Sequence, residues 1–152
     1  LKAALVGGGT TAAIPVCKEV SDKLADSFAE LPNVKVRRVA VRNRNPAHTP
    51  DSFEAGIFRE WEEGLASGSQ PVAISRETDE GLRVMQPIML GSRLCLRCHG
   101  DLRQMAPETV EMLKRLYPDD NATGFELGQL RGAFSAIWTE PETAEAPEKK
   151  AN

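Results

Sequence analysis

The sequence predicts an α+β fold, a mainly antiparallel sheet with helices on one side. Helical and strand-like patterns alternate irregularly along the 152 residues, in the order helix, strand, helix, hairpin, helix, strand, which is not a βα repeat. Two strand patterns are joined by Thr78-Asp79-Glu80-Gly81, turn chemistry that closes an antiparallel hairpin. No internal repeat interrupts the order, and the length suits one domain with one core.

Residues 1–9 are apolar and then glycine-rich. A helix is predicted over 11–30, because Ile14, Cys17, Leu24 and Phe28 fall at spacings of three, four and seven. Pro15 is tolerated only in a first turn or at a kink, so a break is expected near Gly7–Gly9. After the turn Leu31-Pro32-Asn33, residues 34–41 read as a strand with a register fault at Arg37-Arg38. A polar loop over 42–50 leads to a helix opened by Asp51, with Glu54 at capping-box spacing and an apolar face of Phe53, Ile57, Phe58, Trp61 and Leu65. Residues 66–69 break it. The hairpin strands are placed at about 71–77 and 82–90. Pro107 and Glu108 open a short helix carrying Val110, Leu113 and Leu116, and 131–139 read as the last strand. This gives a domain over 1–139 and a tail over 140–152 whose Ala/Glu/Pro/Lys composition predicts disorder.

Apolar residues are 41% and charged residues 27%, ordinary for a globular protein. A net charge of −3 offers no basic face and sets nucleic acid aside as a partner. No apolar run approaches the ~20 residues that cross a bilayer. The chain starts at Leu1 without the basic and apolar regions of a signal peptide, so the expectation is an export signal or membrane tether in a segment not included here.

Cys95-Leu96-Arg97-Cys98-His99 carries the chemistry. In Cys-x-x-Cys-His, two thiols add across the haem vinyl groups, and the adjacent histidine reaches the iron; this is the c-type attachment pattern. Three other readings compete. A thioredoxin-like pair needs a βαβ setting, which the element order does not offer. A zinc site would combine Cys17, Cys95, Cys98 and His48 without finger-like spacing. A plain disulfide gives His99 no role. One covalent haem c, held by Cys95 and Cys98 and ligated by His99, is the reading adopted. Haem attachment of this type takes place outside the bacterial cytoplasm, so a periplasmic location is expected.

The second axial position is open to Cys17, Met85, Met89, Met105, Met112, His48 or nothing. Met with His raises the potential, whereas a thiolate pushes electron density onto the iron. Methionines are ordinary core filler, and a lone cysteine is ordinarily a small buried apolar residue. A third thiol in an oxidising compartment nevertheless needs an explanation, which ligation would supply.

Several segments together resemble a family of small bacterial single-haem c-type domains, catalogued as a domain of unknown function. They are Ile14-Pro15-Val16-Cys17-Lys18, Arg42-Asn43-Arg44-Asn45-Pro46, Thr49-Pro50-Asp51-Ser52-Phe53-Glu54, Pro87-Ile88, Cys95 to Gly100, Tyr117-Pro118-Asp119, and Gly124 to Ser135. The resemblance covers roughly residues 11–138. It implies a PAS-like antiparallel sheet flanked by helices and cradling one haem, with His99 and Cys17 as the two metal ligands. Phe53, Phe125 and Gln129 stand where the family often has Trp, Tyr and Asp, and Pro15 lies two residues before the ligand cysteine.

Haem propionates need donors, and arginine binds carboxylates bidentately. Arg42, Asn43, Arg44 and Asn45 form a donor-rich loop whose plain alternative is a solvated surface, and Arg131 is a further candidate; of these Arg42, Asn45 and Arg131 are taken as cofactor-binding. Arg97 is expected to be exposed. Gly124, Gly128 and Gly132 recur every four residues and are read as turns before a strand. The functional expectation is a redox or small-ligand (gas) sensor, with a downstream signalling domain as partner. The alternative is a periplasmic single-electron carrier with a redox partner protein. A small peroxidase is set aside for want of a recognisable distal His/Arg pair.

Overall fold

The computed structural model describes residues 2–29 and 31–141; in its first helix the side chains of residues 2, 17, 18, 20–22 and 24–29 lie outside that description. The expected tail lies outside it from residue 142 onward.

Four strands form one antiparallel sheet in the order β1-β4-β3-β2: β1 Val34–Val39, β2 Ile74–Thr78, β3 Gly81–Met89 and β4 Leu130–Trp138. With four helices this is the α+β, PAS-like architecture that the sequence predicts. The hairpin β2–β3 closes with Thr78 paired to Gly81, and Thr78 Oγ1 bonds the Gly81 carbonyl. The first helix, α1 (Lys2–Ala29), starts earlier than predicted. Gly9 breaks it with φ 69° and ψ −162°, the kink that the glycine run implied. Pro15 lies in the second turn after that kink and supplies no amide to the turn before it.

α2 (Ser52–Ala66) is capped as predicted: Asp51 accepts from the Glu54 amide at 2.8 Å, and Glu54 returns a bond to the Asp51 amide at 2.8 Å. Its Ile57, Phe58 and Trp61 bury against Val39, Met85 and Ala133 on one face of the sheet. Glu54 is also fully buried and faces Arg83 and Arg37, a buried charge network that the capping pattern did not reveal. α2 is the helix of this core cluster. α3 (Arg93–His99) and α4 (Pro107–Leu116) pack with α1 and the 122–125 loop in two further clusters that contain no strand residue. The single helical layer predicted from the element order is therefore divided. Leu116, expected in the core, is exposed. No described helix is long and apolar enough to cross a membrane.

β1 ends at Val39, two residues before the predicted limit, and its register with β4 is unbroken through Arg37 and Arg38. The two arginines simply alternate: Arg37 lies over Glu54, and Arg38 stacks on Phe134 on the other face. The irregularity lies instead between β3 and β4, where Ile88 pairs with Gly132 and Met89 with Leu130. The extra residue lets Leu130 and Ala133, three apart, both join the α2 core. Gly124 and Gly128, with φ 71° and 82°, are turn residues, as predicted, whereas Gly132, read with them, lies within β4 and pairs with Ile88.

Candidate haem-attachment site

β3 runs through Leu90 and Gly91 into Ser92, whose hydroxyl caps α3 by accepting from the Leu94 amide. This seven-residue helix carries Cys95, Cys98 and His99, all partly buried. Cys95 and Leu96 pack against Leu90, Ala122 and Phe125, and Cys98 packs with Ile14 of α1 and Met105 and Leu113 beyond it. The motif thus follows a strand and sits on a helix, but the sheet is antiparallel throughout, which removes the βαβ setting of the thioredoxin reading. Among the described residues no three His, Cys, Asp or Glu side chains come together as a metal site.

His99 is held from two sides. Its carbonyl accepts from the Phe125 amide at 2.8 Å, and its ring meets Phe125 edge-on at 6.3 Å. Its Nδ1 lies 2.7 Å from the Ala122 carbonyl oxygen. A carbonyl only accepts, so Nδ1 carries the proton and Nε2 keeps its lone pair. Burial pushes the imidazole pKa down to about 3, helped by the positive charges of Arg44, Arg131 and Arg38 and opposed by the Ala122 bond. The ring is therefore neutral at physiological pH, the state that ligates a metal.

That depression has a sign. The folded value lies below the ordinary 6.5, so the stability it carries is complete above pH 6.5 and is lost as pH falls from there towards 3. The haem-free chain is expected to lose about 2 kcal/mol between pH 7 and pH 5 from this group. Urea unfolding at the two pH values checks it, with a smaller loss expected in His99→Gln.

Four arginines surround this region: Arg38, Arg42, Arg44 and Arg131. Arg42 stacks on Phe125 at 3.8 Å and donates to the Thr123 carbonyl. Arg44 pairs with Asp120 at 2.9 Å, both nearly buried, and donates to the carbonyls of Cys98 (2.5 Å) and Ala122 (3.3 Å). Arg131 is buried, donates from Nη1 to the Arg42 carbonyl at 3.1 Å, and has a buried Nε without a partner. Burial first, then Arg38 and Arg44, bring its pKa down to about 10, against the pull of Asp120. Among the described residues, Asp120 is the carboxylate paired with Arg44 in this group.

The structure brings Cys95, Cys98, His99, Arg42 and Arg131 together. Asn45 is engaged locally, its side chain accepting from the Ala47 amide to cap a 3-10 turn over Pro46–His48. Cys17 lies in α1 one turn after Ile14, with its side chain outside the described residues. Met85 is fully buried in the α2 core, whereas Met105 and Met112 share a cluster with Cys98. Arg44 was read with the donor-rich loop, but its pairing with Asp120 escaped the sequence reading, since no local pattern joins residues 76 apart.

A protein-family model, described as Tll0287-like, matches residues 4–138. The chain belongs to the Tll0287-like family. Among solved structures it is similar to the cyanobacterial heme-protein Tll0287, with a TM-score of 0.70 and 27% sequence identity over 85% of this chain and 74% of the other. No curated protein matches the chain.

Proposed function

We propose that this member of the Tll0287-like family is an exported c-type haem domain that senses redox state or a small ligand. The observation that carries the reading is the His99–Ala122 bond, which leaves Nε2 with its lone pair on a neutral ring, beside the two cysteines of an attachment motif. The heme-protein relative supports it.

The residues present suit the group. Cys95 and Cys98 would supply thioethers and His99 Nε2 an axial bond. Arg131, whose buried Nε has no partner, would meet a propionate carboxylate, with the positive charge of Arg38 nearby. Bound haem would supply one-electron chemistry and small-ligand binding. The chain's part is to fix the imidazole tautomer, hold α3 against the 122–125 loop and offset the propionates. Cys17 is the proposed second ligand. Partial exposure of Cys95, with Arg97 exposed beside it, favours electron-carrier activity as a second reading, because it gives a partner protein access to the attachment edge. The proposed role is binding and electron exchange, not turnover.

Exported expression with the bacterial attachment machinery tests the assignment. The wild type is expected to keep haem through a denaturing gel, and Cys95→Ala/Cys98→Ala to lose it completely. An unstained wild-type band overturns it. Carbon monoxide titration of the reduced protein separates the signals: uptake supports a ligand sensor, and complete failure to bind confines it to redox.

A further inference from the structure

We infer that Arg44 is a positioning residue that sets the redox potential of the haem through the axial histidine, with Asp120 as its counterweight; the inference rests on the haem reading above. The geometry is specific. The Ala122 carbonyl that accepts from His99 Nδ1 at 2.7 Å also accepts from Arg44 Nη2 at 3.3 Å. The same Nη2 donates to the carbonyl of Cys98, the residue before His99, at 2.5 Å. Asp120 closes the arrangement from the other side. Its Oδ2 accepts from Arg44 Nε at 2.9 Å and its Oδ1 from the Ala122 amide at 2.7 Å. Ala122 therefore meets the anion at its amide and the cation at its carbonyl, in two successive peptide units. Only 13% of the Arg44 side chain and 9% of Asp120 are exposed, so solvent screens the pair weakly.

Arg44 draws electron density from the Ala122 carbonyl and makes it a poorer acceptor. His99 then holds its Nδ1 proton more fully and donates less charge through Nε2. The guanidinium charge also disfavours the more positive, ferric state. Both effects raise the potential. Asp120 opposes them, holding Arg44 partly neutralised and adding its own negative charge beside the histidine's acceptor.

The two partners thus carry opposite signs, which a merely structural brace does not. In the haem-loaded protein, Arg44→Gln is expected to shift the ferric/ferrous equilibrium about tenfold towards ferric, a fall of about 59 mV for one electron. Asp120→Asn is expected to raise the potential, and Arg44→Lys, which keeps the charge, to restore most of the wild-type value. Potentiometric titration with the absorption spectrum followed throughout reads all three. Shifts of the same sign in Arg44→Gln and Asp120→Asn, or an unmoved potential in both, overturn the inference. If Arg44→Gln takes up no haem, the other two decide it: a raised potential in Asp120→Asn with little change in Arg44→Lys supports it, and any other result overturns it. A wild type without haem defeats the functional reading instead, so the two failures are distinct.

Discussion

Replacing Cys17 by alanine is expected to change the absorption spectrum of the haem-loaded protein and to raise its midpoint potential by on the order of 0.1 V, part of the ~0.8 V that axial ligands span. A thiolate pushes electron density onto the iron and favours the ferric state, so its loss favours the ferrous one. The expectation rests on position. Ile14 shares a cluster with Cys98, so α1 passes the attachment motif within a turn of Cys17. Reduction is expected to weaken the bond in the wild type, since ferrous iron suits an anionic ligand less well. An unchanged spectrum in Cys17→Ala would move the ligand role to Met105 or Met112, the methionines grouped with Cys98.

Glu54→Ala is expected to cost about 2–3 kcal/mol of stability, measured by chemical unfolding, because it removes a fully buried partner of Arg83 and the returning bond of the α2 cap. Glu54 has no exposed surface. Its carboxylate closes the cap of α2 and faces Arg83 at 3.3 Å and Arg37 at 3.5 Å. Arg83 is itself buried, stacks on Phe53 at 4.3 Å and already has an unpartnered Nε. Without Glu54 it keeps Asp51, at 2.6 Å. Burial raises the Asp51 pKa, but the Glu54 amide, Arg83 and Arg37 together hold it below its usual value. Its contribution is therefore present above the ordinary carboxylate range and is lost as pH falls through the lowered value. Acid is expected to unfold Glu54→Ala at higher pH than the wild type, and an unaltered acid midpoint would refute the network's role.

Features built from near neighbours were legible in the sequence. The Asp51/Glu54 cap, the Thr78–Gly81 hairpin and the Cys95-Cys98-His99 motif each rest on a few consecutive residues. Features built from distant partners were not. Gly7 and Gly8 lie in helix although glycine costs about 1 kcal/mol there; Leu5 is buried, and packing outweighs propensity. Arg37-Arg38 looked like a fault because two charges adjoin, yet each face of the strand offers its arginine a partner. The real irregularity, at Ile88/Met89, has no signature in either strand alone. The cap that the Asn45 side-chain oxygen makes one residue before a proline is local, yet the reading of Asn45 as a donor among arginines did not include it.

The strand order β1-β4-β3-β2 has a consequence for assembly. The last strand is the one that joins the first to the hairpin, so a nascent chain that stops before Leu130 has no sheet, only a hairpin that is marginal by itself. The attachment motif is synthesised some thirty residues earlier, and the Phe125 amide that secures the His99 carbonyl comes between them. In a chain exported N-terminus first, as the proposed function implies, Cys95 and Cys98 would emerge while their scaffold is still open. Under the proposed covalent attachment, that interval before completion of β4 is when the two thiols would be most accessible.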